Sequence, residues 1–479
     1  MKWFALFVFV FIQSAFAQEN SSLSGSAPVP ATAATTSTAP LVEPSPTPAA
    51  TPAAPTATAT STTATTTAET TSAAKPEDSS LNSAPNSTDK TGKQENKKDR
   101  FDFQSYGYFS LSQYETFKTP NNLNPIVRRD MDMAQLSFEG VYRLTDTSKI
   151  EFEVEFEHGG TGTALEYDKF EEFGEFEQEV EKGGEVVIEE FFYRKVWKDA
   201  GLYLRAGKFP LYISLASVLT KPGRYPTILV SDAESRMIPY GWNETGVQLG
   251  EVLGDFTFRA AAVSGLNSEF FRTYNWVGGG YQRHFEGMNA EDIATFFNIE
   301  WGNVALGKGL ALSYYKGDTT DNRYKLDKLT KSSFVTITSL FGNYKLWRFT
   351  FMGEVIHGDL QNSDAVAQAN TNLGGLANPG NYYPLGSKAT LESAMIAYDI
   401  MDNLPIYIKS EHVNTFEDVE ENTTKDPRYD VNIRSIGLMW QWEPAAFLKA
   451  QYSRIRTDLA GLPETYQATI AFGFDLSRF

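Results

Sequence analysis

The stretch Lys149–His158, KIEFEVEFEH, constrains this chain more than any other. Ile150, Phe152, Val154 and Phe156 alternate without a break against Glu151, Glu153, Glu155 and Glu157. Successive side chains on a strand point to opposite faces, so one face here is wholly apolar and the other wholly acidic. A half-exposed strand of a soluble sheet also needs a greasy face, but it rarely carries four carboxylates in file on the other. A transmembrane barrel around a wet lumen needs this division, with hydrocarbon outside and water inside. The stretch predicts a strand of such a barrel, its four glutamates turned inward.

The rest of the chain can be tested against that expectation. From Phe101 on, aromatic and β-branched runs recur between turn residues, and they predict strands at 103–114, 132–143, 149–158, 186–197, 201–209, 243–250, 255–265, 292–302, 308–316, 333–343, 346–357, 388–399, 405–414, 430–442, 445–456 and 465–476. That makes about 16 strands, an all-β, antiparallel transmembrane barrel over 101–479. Long connections, among them 159–185, 210–242, 266–291 and 358–387, alternate with short ones such as LTDTS, KDAG, NYKL and MDNLP. Outer-membrane barrels have this asymmetry, with tight periplasmic turns and long outer loops. Trp197, Trp301, Trp347, Trp440 and Trp442 all lie beside short connections, as one interfacial girdle would require. Two segments resist. In VVIEEFFYRKVW (186–197) either parity leaves an acid and a base on the apolar face, so its faces stay unassigned. At the end, Phe479 is an aromatic terminus out of phase with the apolar set at 466–474.

Ahead of the barrel, Met1–Ala17 has a basic Lys2, an apolar run and Ala15-Phe16-Ala17, the pattern of a secretory signal. Residues 18–100 collapse to Ala, Thr, Pro and Ser, too polar to offset their ordering entropy, and read as a disordered periplasmic tether. The chain is thus expected in the outer membrane of a Gram-negative-type bacterium. With no cysteine, it has no disulfide framework and no thiolate chemistry. Residues 101–479 hold 35 Lys+Arg against 52 Asp+Glu, a balance that argues against nucleic acid as a partner.

Leu202–Pro210 (LYLRAGKFP), Gly241–Leu249 (GWNETGVQL) and Ala260–Gly265 (AAAVSG) give the chain a resemblance to outer-membrane porins, most of all the phosphate-selective porin family. The resemblance implies a sixteen-stranded barrel, passive diffusion, a third loop folded into the lumen and a homotrimer. That family selects phosphate with inward basic clusters, and no such lysine cluster is evident in this sequence.

The histidines His158, His284, His357 and His412 are widely spaced and sit in no metal-ligand motif, and no nucleophile elbow or phosphate-binding loop is present. The acidic run 166–185 lacks the spacing of a calcium loop and reads as a solvated outer loop. No enzyme activity, metal or cofactor is expected. Selectivity should come from width, charge and the constriction loop, here 210–242, with Lys221, Arg224, Asp232, Glu234 and Arg236. Arg205, Arg259, Arg348 and Lys409 are expected on the lumen wall opposite the glutamate file, either setting a transverse field or pairing with neighbouring charges. The function expected is passive diffusion of small hydrophilic solutes and ions through an aqueous pore, in contact with outer-membrane lipid. The alternatives are an anion- or phosphate-selective channel and a surface-structural or adhesive barrel.

Overall fold

The computed structural model describes residues 100–478 apart from 118–119, 122–123, 161–184, 283–287, 324–328 and 373–383. The expected signal segment, the tether up to residue 99, most of the acidic run, His284 and Phe479 lie outside the described residues.

Sixteen antiparallel strands close on themselves, β1 pairing with both β2 and β16. They are β1 (Phe101–Thr116), β2 (Ile126–Thr145), β3 (Ser148–Glu157), β4 (Glu185–Trp197), β5 (Leu202–Pro210), β6 (Asn243–Leu253), β7 (Phe256–Ser264) and β8 (Ile293–Asn303), then β9 (Lys308–Asp318), β10 (Phe334–Leu346), β11 (Phe349–Leu360), β12 (Lys388–Met401), β13 (Leu404–Asp418), β14 (Asp430–Glu443), β15 (Ala446–Thr457) and β16 (Thr465–Asp475). Closure leaves no edge with unpaired backbone groups, which is what a lipid-embedded sheet requires. Side chains alternate as the sequence requires: Leu310, Leu312, Leu340, Ile408, Ile436, Ile470 and Phe472 stand exposed on the outer surface. The five girdle tryptophans are exposed at the short-turn end, Trp347 most of all.

The strand that resisted assignment has a physical explanation. Register against β3 shifts between Glu153 and Val154, where β4 carries Glu189 as an extra residue. Val186 and Ile188 face out before this bulge, and Phe191, Tyr193 and Trp197 face out after it. One parity cannot describe a strand whose phase flips in the middle. A second correction concerns the turn after β10. NYKL belongs to the strand, because Tyr344 pairs with Phe351 and Leu346 with Phe349. The turn is Trp347–Arg348, with Trp347 at φ 54°.

The pattern of faces also inverts along the barrel. Towards the long-loop end, Val335 and Ile337 of β10, Leu391 of β12, Val413 of β13 and Val431 and Ile433 of β14 are buried in the interior. They join Phe209, Val263, Phe296, Tyr315 and Ile356 in one apolar core. Loop residues Leu211, Ile213, Met237, Ile238, Trp276 and Val277 complete it, together with Val366 and Ala367 of the short helix α1 (Ser363–Asn372). Much of this barrel is therefore filled like the interior of a soluble protein.

Candidate pore and its inserted loop

The loop after β5 enters this interior and crosses it. Leu211 N donates to Trp242 O at 2.9 Å, closing the base of the loop, and almost every residue between is buried or half-buried. Successive walls then hold it. Ser313 Oγ of β9 donates to Tyr212 O at 2.7 Å, and Ser339 Oγ of β10 donates to Ile213 O. Leu215 N donates to Glu354 of β11 at 3.0 Å. Lys221 reaches β1 and β2, donating to Gln104 at 2.9 Å and Glu139 at 2.6 Å. Further on, Lys449 of β15 donates to Thr227 O at 2.6 Å, and Ser231 Oγ donates to Glu411 of β13 at 2.8 Å. Lys409 of β13 closes the series, with Nζ 2.6 Å from Asp232 and 3.0 Å from Glu411. The loop's lysine thus docks on an acidic wall and its aspartate on a basic residue of another strand.

These contacts give the loop charges a structural part. Lys221 and Asp232 serve as latches. Glu234 is fully buried and accepts from Ser214 Oγ at 2.6 Å. Burial first, and then the nearby Glu354 carboxylate, pushes Glu234 well above the usual carboxylate range. Burial likewise lowers Arg236, against the pull of Asp232 and Glu411. Arg224 is half-buried and has no ion pair among the described residues.

On the walls, the glutamate file faces the interior. Glu153 accepts from Tyr106 OH at 2.5 Å, and Glu155 accepts from Gln135 and Ser137, each at 3.0 Å. Glu151 lies 3.2 Å from Lys149 and 3.6 Å from Arg194, while Glu157 is half-buried near the long-loop end. Register places Glu139 and Glu190 on either side of Glu153, so the acidic wall is wider than one strand. From β15 through β16 and β1 to β3 the interior face is polar, with Gln451, Ser453, Thr469, Ser112, Tyr108 and Gln135. On the remaining strands the apolar core towards the long-loop end is interrupted by charged groups such as Glu354, Lys409 and Glu411.

Arg205 and Arg259 also face inward, and the structure adds Arg194, which the bulge in β4 concealed from a sequence reading. Arg194 pairs with Arg205 across β4 and β5, and both guanidiniums lie over the Tyr203 ring, at 5.1 and 5.6 Å. Arg259 lies 4.5 Å from the Tyr212 ring and is paired with Glu300 at 2.7 Å. Glycine makes room for this stack: a Cβ on Gly250 would fall 2.1 Å from Tyr203 Cζ. Nε of Arg194, and Nε and Nη1 of Arg205, are buried without hydrogen-bond partners among the described residues. Arg194, Arg205 and Arg259 thus gather on the interior at the short-turn end, while Lys409 lies apart from them at the loop latch on β13. Arg348 is part of neither. It sits exposed in the Trp347–Arg348 turn and donates to Ile400 O at 3.2 Å, because the strand boundary falls after it.

His158, His357 and His412 each lie beside one carboxylate, Asp132, Asp359 and Asp430 respectively. Among the described residues no group of three or more His, Cys, Asp or Glu is arranged to hold a metal ion.

No family model matches the chain, and no curated protein matches it. Solved structures with similarity to it include the outer membrane channel DcaP of Acinetobacter baumannii, with 8% identity, a TM-score of 0.47, and 78% of this chain and 96% of that one covered. Salmonella typhi OmpF in complex with daunomycin has 8% identity and a TM-score of 0.47, covering 78% of this chain and 97% of that one. Outer-membrane expressed OmpT of Vibrio cholerae has 11% identity and a TM-score of 0.43, covering 78% and 97%.

Proposed function

We propose that the chain is a non-enzymatic outer-membrane porin through which small hydrophilic solutes and ions diffuse passively, with loop 210–242 as its constriction. The observation that carries this reading is the latched loop, which narrows a closed barrel and touches its polar wall through Lys221, Thr227 and Ile228. The aqueous path runs off-centre, along the wall formed by β15, β16 and β1–β3 and past the points where the loop is latched to it. There water finds hydroxyls, amides and carboxylates, whereas the apolar core towards the long-loop end excludes it. The girdle end faces the periplasm, where a tether at residues 18–100 and a cleaved signal at 1–17 would place it, and the working assembly is a homotrimer.

A second reading, an anion- or phosphate-preferring channel, is favoured by the Arg194–Arg205–Arg259 stack, whose unpartnered donors suit an oxyanion. Purified protein in planar bilayers tests both. The porin reading expects discrete, ohmic conductance steps, and the reversal potential in a potassium chloride gradient assigns the ion preference. A correctly folded protein that gives no steps would replace the porin with an adhesive or structural barrel.

A further inference from the structure

We propose that the outer surface of β12–β16 and β1–β2 binds one phosphorylated, multiply acylated glycolipid of the outer leaflet. The site rests on the membrane placement above but not on conductance. A groove of about 800 Å³ crosses this surface. Its walls are almost entirely carbon, with Leu111, Ile396, Ile408, Ile436 and Ile470, and its floor dips where Ala450 and Ala468 carry only a methyl group. Small residues in a row on neighbouring strands leave room for acyl chains that bulky side chains would fill.

The charge lies at one edge of that groove. Ile436 pairs with Tyr452, and the next outward pair along the same two strands is Arg434 with Arg454. Beyond it, Arg456 pairs with Asn432. At the far side, Arg129 donates to Gln113 at 2.9 Å, and both residues line the groove. Arg454 is tied to Glu464, and Glu115 lies on the same surface, but Arg434 has no hydrogen bond or ion pair among the described residues. Glu392 of β12 stands in the same cross-strand row as Arg456, so Arg129, Arg434, Arg454 and Arg456 face Glu115, Glu392 and Glu464, and Arg434 and Arg456 have no ion pair among the described residues.

Height decides what these guanidiniums meet. Arg434 lies eight residues along β14 from the girdle residue Trp442. At a rise of about 3.3 Å per residue and a tilt of about 40°, it stands about 20 Å above the girdle, near the edge of an apolar band about 25 Å tall. A headgroup phosphate sits at that level, and paired arginines are suited to bind it. A second copy of this chain docking on the groove has no such explanation for clustered positive charge, so the glycolipid is the occupant the charges favour.

The test uses the full mature chain in detergent, with bis-phosphorylated lipid A as probe and native mass spectrometry as readout. Wild-type protein is expected to retain lipid A, and Arg434→Gln/Arg456→Gln to bind it at least tenfold more weakly. Dephosphorylated lipid A should behave like the double variant, and phosphatidylglycerol should compete poorly. Bilayer conductance of the double variant should match wild type, which separates failure at this site from failure of the porin reading. Equal lipid A retention by wild type and variant, or no retention by either, overturns the proposal. So does a variant whose only defect is loss of an oligomer, because the surface would then be a contact between copies.

Discussion

Lys409→Met is the sharpest perturbation of the inserted loop. The side chain of Lys409 is 1% exposed, and its partner Glu411 is 0% exposed. Methionine keeps the length of the side chain but leaves the Asp232 and Glu411 carboxylates facing each other with only the Arg236 guanidinium, unbonded among the described residues, to offset them. Breaking a buried ion pair by removing one partner costs about 3–5 kcal/mol, and access of lumen water favours about 3. Other latches survive, including Lys221 on Glu139 and Lys449 on the Thr227 carbonyl, each worth roughly 1.5–3 kcal/mol as hydrogen bonds to a charged group. The loop should therefore stay in the barrel while the segment around Asp232 lifts from β13. Single-channel recording should show a larger, noisier conductance, and the heat-modifiable gel shift should move to lower temperature. A double-mutant cycle with Asp232→Asn should give a coupling of about 1.5 kcal/mol or more, within the range for residues in direct contact. Additive effects, or a Lys409→Met channel identical to wild type, would refute the latch.

Further outcomes follow from the same structure. Val154→Arg places a charge on the lipid face of β3 and should cost about 2–4 kcal/mol near the midplane, whereas Glu155→Arg should fold and shift the reversal potential toward anions. Equal folding of the two, or a shift toward cations, contradicts the assigned faces. Burial and the Glu354 carboxylate favour the protonated form of Glu234 in the seated loop, while a released loop would return it to the ordinary carboxylate value of about 4.5. Seating is therefore strongest below that pH and weakens as pH rises towards the raised value, so channel noise should grow with pH. Glu234→Gln should flatten the noise profile, and a variant with unchanged pH dependence would remove Glu234 from the explanation.

Strand number and the faces of most membrane-level segments were legible in the sequence, because period-two alternation is a local signal. The glutamate file of β3 is the clearest case. What was not legible depends on distance or on a single inserted residue. Lys409 and Asp232 meet across 177 positions, and no local pattern announces such a pair. Glu189 flips the phase of β4, which hid Arg194 and with it the arginine stack. Arg348 looked like a wall residue because its parity fits β11, but the Leu346–Phe349 pairing leaves it in the turn. The apolar core escaped for a subtler reason. Val335 and Ile337 alternate with Thr336 and Thr338 as any barrel strand would, and only the structure shows that here the apolar face points inward.

The central claim is an off-centre aqueous path along the polar wall, and the absence of native cysteine makes it directly measurable. Gln135→Cys places a thiol beside Glu155 on that wall, and Ile337→Cys places one in the apolar core. Each variant would be recorded in a planar bilayer before and after a charged methanethiosulfonate reagent. The path described here predicts a stepwise fall in current for Gln135→Cys and none for Ile337→Cys. Current loss at Ile337→Cys with Gln135→Cys unaffected would put the path through the core and contradict this account.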